Sequence, residues 1–401
     1  MKARLLFVSP EFPYPPASGG RLRTLSLLKY LARDFEIHCV TFAQGQPAQK
    51  DLEMLRTDLG KITVLPLAIH RRTTLRRYTR NMGRGLRFIP PLVDRFAEPL
   101  IRRALCNLLK NHGGWVWLEH LWLAPYVENI PRSATKVLDV HNVESDFYRQ
   151  VRHFTRNPLE RLGYYVFEHA ASRVERQHLA SFDRVLAASP EDRELLARNC
   201  TREKIFVVPN AVELGPPPAA EGGPGCSMYF AGRLDYLPNR EAVWWFYRQV
   251  WPLIRRQLHE VRWTIVGACP ELLGEELLGD PQAVLTGSVE KTGPYLHPSS
   301  LVIVPLSLGG GTRFKILEAW SAGKAVVSTS KGAEGLACRH GDNIWIANTP
   351  VEFAHAVIRL LSDSSLRARL GGRGWETVKE QYSWERLHQC LDVALRMPPR
   401  N

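Results

Sequence analysis

The chain has 401 residues, 45% of them apolar and 23% charged, with 28 Pro and 29 Gly. This is the composition of a globular protein of two or three domains; it excludes a disordered or collagenous chain, and no run reaches the roughly 18 apolar residues that a spanning helix needs. The net charge of +13 is uneven, since between His70 and Lys110 ten Arg and one Lys stand against Asp94 and Glu98, a net charge of +9.

The first apolar run, Leu5 to Val8 before Ser9-Pro10, reads as a strand rather than a secretion signal. Short apolar runs at Arg4–Ser9, Ile37–Phe42, Ile62–Leu67, Trp115–Leu118, Lys136–Val140, Arg184–Ala188 and Ile205–Val208 predict strands. Between them, three- and four-residue apolar spacing predicts helices near Leu22–Arg33, Leu159–Ala180 and Pro190–Asn199. Strands alternating with helices imply a parallel sheet covered on both faces. The block RRTTLRRYTRNMGRGLRF, from Arg71, mixes arginines with Tyr78, Leu86 and Phe88. It reads either as a surface for anionic lipid, extending over Arg71–Arg103, or as a solvated helical face. No nucleic-acid-binding motif accompanies the charge.

LGPPPAAEGGPG, 214–225, holds neither helix nor central strand and predicts a linker. The alternation then restarts, with strands at Ser227–Ala231, Trp263–Val266, Ala283–Thr286, Leu301–Pro305, Ala325–Thr329 and Ile344–Ala347. Helices are expected at Asn239–Gln257, Phe314–Ala322, Val351–Leu361, Leu366–Gln381 and Trp384–Leu395. The expected class is α/β with two doubly wound parallel sheets: 1–213, then 226–382, and a final helix within 383–401 returning to the first domain. Cys39, Cys106, Cys200, Cys226, Cys269, Cys338 and Cys390 are odd in number and form no Cys-x-x-Cys. Neither a disulfide framework nor a zinc site is expected, and the cytoplasm is the expected compartment.

Four segments fall where strands release the chain toward a sheet edge. In PEFPYPPASGGRLR, Gly19 and Gly20 let backbone amides approach a ligand at a helix start. LDVHNVES brings a strand to a polar end at His141, either a site residue or a satisfied structural one. YFAGRLDYLPNREA places Arg233 just past a strand, where a guanidinium suits a diphosphate. VPLSLGGGTRFKILEAWSAGKAVVSTSKGAEGL sets the amides of Gly310, Gly311 and Thr312 before a helix, with Glu318 placed to accept from vicinal hydroxyls. The spacing is not that of a Walker loop.

The last three of these segments, together with the tail GAEGL…HGDNIWIANTPVEFAHAVIRLLSD…YSWE, resemble the retaining glycosyltransferases of family 4, in particular a subgroup with PN and GGGTRxKILEA. The resemblance implies the GT-B architecture, two Rossmann-like domains facing across a cleft. It implies Arg233 on the donor diphosphate, Glu318 on the ribose, Val289 beside the base, and Gly19, Gly20 and His141 on the pyrophosphate–sugar side. Two departures stand out: Asn239 replaces the family's usual lysine, and Gly310 replaces the first glutamate of its Glu-x7-Glu motif. Arg313 or Lys315 is the expected replacement cation.

The implied activity is transfer of a sugar from a nucleoside-diphosphate sugar to a glycan or lipid-linked acceptor, in cell-surface polysaccharide or glycolipid synthesis. It would proceed with retention, with no metal and no cofactor, catalysed by Arg233, His141 and Lys315, on an enzyme peripheral to the inner membrane face. Two rivals share the architecture, a nucleotide-sugar 2-epimerase-like isomerase and a non-catalytic sugar-nucleotide sensor.

Overall fold

The computed structural model describes residues 2–396 apart from Ala17, 68–73, 219–225 and Thr312, and of 74–78 it describes the backbone alone. The chain divides into two compact units, Met1–Val208 with His388–Asn401, and Pro209–Leu387. The expected α/β architecture of two parallel sheets is present, one sheet in each unit.

The first unit carries strands β1 (Ala3–Ser9), β2 (Phe35–Ala43), β3 (Lys61–Pro66), β4 (Trp115–Glu119), β5 (Thr135–Val140), β6 (Arg184–Ala187) and β7 (Ile205–Val207). They are parallel in the order β3-β2-β1-β4-β5-β6-β7. Leu5 to Val8 of β1 and Val116 to Leu118 of β4 are almost fully buried, as strands covered on both faces must be. The covering helices are α1 (Gly19–Leu31), α2 (Gln49–Leu59), α3 (Thr74–Arg87), α4 (Pro91–Phe96), α5 (Pro99–Lys110), α6 (Glu144–Phe154), α7 (Pro158–His178) and α8 (Pro190–Leu196). Ser18, Asn157 and Ser189 cap α1, α7 and α8 by accepting from first-turn amides. Strand order reverses between β1 and β4, so the carboxyl ends of those strands form a switch point where ligands collect.

The second unit repeats the plan. Strands β8 (Ser227–Ala231), β9 (Arg262–Val266), β10 (Ala283–Gly287), β11 (Leu301–Val304), β12 (Val326–Ser328) and β13 (Trp345–Ile346) are parallel in the order β10-β9-β8-β11-β12-β13. Its switch point lies between β8 and β11. The helices are α9 (Leu237–Trp245), α10 (Trp251–Arg255), α11 (Gly274–Leu278), α12 (Gly293–Leu296), α13 (Phe314–Ser321), α14 (Pro350–Ser362) and α15 (Ser364–Gln381). A last helix, α16 (Trp384–Arg396), contributes to the first unit from His388 on. There Tyr30 stacks on His388 at 3.8 Å and donates its hydroxyl to Asp392 at 2.8 Å. Arg184 donates to the carbonyl of Ala394 at 2.7 Å, answering a last-turn acceptor of α16.

One expectation is corrected. The single helix expected over Asn239–Gln257 is interrupted by a π-helical turn, Phe246–Val250, in which the Trp251 amide bonds back to Phe246. The cause is Pro252, which has no N–H and whose ring displaces the carbonyl one turn before it. The expected linker, 214–225, lies from 219 on outside the described residues; at its start the Gly215 amide donates to Ser321 at 3.2 Å, and Trp375 donates its indole N–H to the Gly215 carbonyl at 2.9 Å. Among the described residues no helix is long and apolar enough to cross a membrane.

Candidate functional site

In the second unit, β8 ends on Gly232 and Arg233. Arg233 is 59% exposed and pairs bidentately with Asp235, at 3.1 and 2.8 Å. Gly232 is required where it stands, because a Cβ there would meet Asn239 Nδ2 at 2.6 Å. The buried Asn239 amide group uses both ends: Nδ2 donates to the Arg233 carbonyl at 2.9 Å, and Oδ1 accepts from Lys315 Nζ at 2.7 Å.

The loop after β11 carries Gly309 (φ 126°) and Gly311 (φ 70°), backbone conformations that favour glycine. It leads into α13, whose N-cap residue, Arg313, makes no side-chain cap bond among the described residues. Arg313, expected to face a donor, turns inwards. It is buried and donates to the carbonyls of Gly309 and Gly310 at 2.8 and 2.6 Å, so its charge fixes the loop. Thr312 lies outside the described residues.

Lys315 and Glu318 are half-buried on α13. Burial, with the charge of Arg313 added, lowers the Lys315 ammonium to about 7 against the opposing pull of Glu318. Burial raises the Glu318 carboxyl to about 7, and Lys315 opposes it. Burial thus disfavours the charged form of each, and each offsets part of that for the other. Val289, in the turn after β10, is half-buried against the core of this unit.

In the first unit the structure brings His141 and the Gly20 turn together: a Cβ on Gly20 would lie 3.8 Å from His141 Nδ1. Gly19 starts the same turn of α1. On its other side His141 Nε2 stands 3.3 Å from Asp139 and 3.6 Å from Glu119. Burial alone would lower the imidazole, but the two carboxylates outweigh it and raise it to about 9. Asp139 in turn is fully buried and gripped by Arg23, with Nε to Oδ2 at 3.0 Å and Nη2 to Oδ1 at 2.7 Å. Despite burial, the charges of Arg23 and His141 hold its carboxyl well below the usual range. Thr24 donates to Glu119 at 2.9 Å, and the ring of His120 lies over that of His141 at 3.9 Å. Glu144, three residues on, takes no part: it is buried under Trp122, which donates to it at 2.8 Å.

Sequence reasoning missed Glu119, Asp139 and Arg23. Two of them lay inside quoted segments, and the signal was charge within runs otherwise destined for the core. Glu119, Asp139 and His141 have ligand atoms within 4.8 Å of one another, a grouping that sequence spacing conceals because Glu119 comes from a different strand. Both oxygens of Asp139 are bonded to Arg23, so the guanidinium supplies the positive charge that a metal would bring.

Residues 225–363 match the family model for "Glycosyl transferases group 1". The second unit is a glycosyltransferase domain. Across 97% of its length the chain is similar, at 24% identity, to 99% of an uncharacterized 44.6 kDa protein of the cps region of Klebsiella pneumoniae. A shorter match, 39% identical over 86 residues, covers 21% of this chain and 25% of LpsE, the lipopolysaccharide core biosynthesis glycosyltransferase of Rhizobium meliloti (strain 1021). In fold the glycosyltransferase resembles S. aureus TarM, solved as a variant with fondaparinux, alpha-GlcNAc-glycerol and UDP. The TM-score is 0.69 and the identity 12%, over 98% of this chain and 100% of that one.

Proposed function

We propose that the protein transfers a sugar from a nucleoside-diphosphate sugar to a glycan or lipid-linked acceptor in polysaccharide or glycolipid synthesis, with retention and without metal. The observation that carries this reading is the convergence, at the switch point of the second sheet, of Arg233, the start of α13, Lys315 and Glu318. An exposed guanidinium and backbone amides at a helix start suit a diphosphate, and a carboxylate one turn into the helix suits ribose hydroxyls. Val289 would lie against the base. Transfer breaks the bond from the anomeric carbon to the diphosphate oxygen and forms one to the acceptor oxygen, whose proton passes to the departing phosphate. Arg233 and the loop amides would then stabilise the charge that develops. His141, cationic below about pH 9 and beside Gly20, would offer its charge to a ligand at the switch point of the first sheet.

Glu318→Ala should weaken nucleoside diphosphate binding about tenfold or more, as expected for lost hydrogen bonds to a charged acceptor. Thermal shift with UDP, GDP, ADP and CDP identifies the base, and calorimetry on the variant measures the loss. Equal affinity in variant and parent would remove Glu318 from the site.

Peripheral attachment to an anionic inner membrane face in the cytoplasm belongs to the same reading. Its support is a surface where α3 packs on α7, with Gly85 facing Val166. Around that contact Met82, Leu86, Leu159 and Leu162 are 66%, 84%, 79% and 61% exposed. Arg84, expected to face lipid, is instead buried in an ion pair with Asp94 at 2.8 Å; Arg87 pairs with the same carboxylate at 3.0 Å but is exposed on α3. Leu86→Asn with Leu159→Asn should abolish cosedimentation with phosphatidylglycerol-rich vesicles, and high salt should weaken it in the parent as screening shortens. Binding that ignores both changes would contradict membrane docking.

A further inference from the structure

Lys315 is a costly residue where it stands. An ammonium carries three donors, yet the hydrogen bond described for this one is to Asn239 Oδ1 at 2.7 Å, with the Phe230 ring face 4.3 Å from its nitrogen. No carboxylate forms an ion pair with it among the described residues, and burial draws it down to about 7. A half-buried cation that no carboxylate contacts is destabilised by its burial, and an anion bound beside it would relieve that cost.

Its orientation is also fixed. Lysine only donates and a backbone carbonyl only accepts, so the Asn239 amide has one consistent orientation, Oδ1 to Lys315 and Nδ2 to the Arg233 carbonyl. The amide thereby ties the ammonium on α13 to the turn that carries Arg233. Gly232 leaves the space in which that amide sits. Arg313, the other cation of the loop, is committed to the Gly309 and Gly310 carbonyls.

We infer that Asn239 is a positioning residue that holds Lys315 beside the Arg233 turn, so that Lys315 supplies the second cation for the donor diphosphate. The inference rests on the reading of this site as a nucleoside diphosphate site. It assigns separate tasks to four neighbours: Arg233 and Lys315 contact phosphate oxygens, Asn239 aims Lys315, and Arg313 shapes the loop. A purely structural Lys315 would need its exact place on α13, whereas a cation for phosphate can be supplied from either side of the Asn239–Lys315 contact.

The test is charge transposition, read as affinity for UDP, GDP, ADP and CDP by calorimetry on the full chain. Lys315→Gln should lower the affinity for the preferred nucleotide about tenfold or more, the loss of one charge-assisted contact. Adding Asn239→Lys to that variant returns a cation from α9 and should recover most of the loss. Asn239→Leu, which keeps Lys315 but releases it, should weaken binding by a smaller factor. Thermal melts verify that each variant is folded. If the parent binds none of the four nucleotides, the site reading fails and the inference with it. If the parent binds one and Lys315→Gln binds it equally well, or Asn239→Lys restores nothing, the inference alone is overturned.

Discussion

Asp139→Asn is expected to destabilise the first unit by about 3–5 kcal/mol, the range for removing one partner of a buried ion pair. Arg23 is 1% exposed and Asp139 0%, and the guanidinium has committed Nε and Nη2 to that carboxylate. With a neutral amide at 139, Arg23 and a cationic His141 would share only Glu119 as counter-charge. Denaturant melts of the parent, of Asp139→Asn, of Arg23→Leu and of the Arg23→Leu, Asp139→Asn pair would show the double variant less damaged than the two single losses added. A single-variant loss under about 1 kcal/mol would contradict the burial argument.

The same cluster fixes a pH dependence. Asp139 has its pKa lowered by folding, so its contribution is present above the unfolded value of about 4 and is lost as pH falls below it. His141 is raised by folding to about 9. Its contribution is complete below the unfolded value of about 6.5 and is lost as pH rises through the folded one. The melting temperature of the first unit should therefore fall between about pH 6.5 and 9, and His141→Asn should flatten that slope.

Arg233→Ala should reduce turnover by about 10²–10³, the loss typical of removing one preorganised charge-stabilising donor. The side chain is 59% exposed and its described ion pair is with Asp235, so the fold should not suffer. Release of nucleoside diphosphate at saturating donor measures the effect. Unchanged turnover would remove Arg233 from charge stabilisation and leave that work to the loop amides and Lys315.

Much of the fold was legible because parallel strands buried on both faces announce themselves as short apolar runs, as Leu5–Val8 and Leu301–Val304 do. Helices with thin apolar stripes were not. Helix α2 buries Leu55 and Leu59 alone, and α6 buries Glu144, Tyr148 and Val151, too few apolar positions to set a period. In the candidate site, Arg233, Lys315 and Glu318 were legible because glycine-rich turns beside charged residues are unusual at strand ends. The direction of a long side chain was not legible. Arg313 and Lys315 lie two residues apart, yet one turns to the loop carbonyls and the other to Asn239. Glu119 stayed hidden because its partners come from another strand, and only the order β1-β4-β5 brings them together.

The return of α16 to the first unit has a consequence for synthesis. A ribosome making this chain from its amino end completes the seven strands of the first sheet, then roughly 180 further residues, before it delivers the segment from His388. At the usual rate of elongation that is an interval of about 10–40 s. Throughout it Tyr30 lacks its stacking partner and the acceptor of its hydroxyl, and Arg184 lacks the carbonyl of Ala394. The nascent first unit is an unfinished body during that time, open to chaperones and proteases, and the second unit, which runs to Leu387, is itself completed only as His388 arrives. Pulse-labelled ribosome-bound chains should accordingly show a first unit that gains its full protease resistance only after the segment from His388 is made.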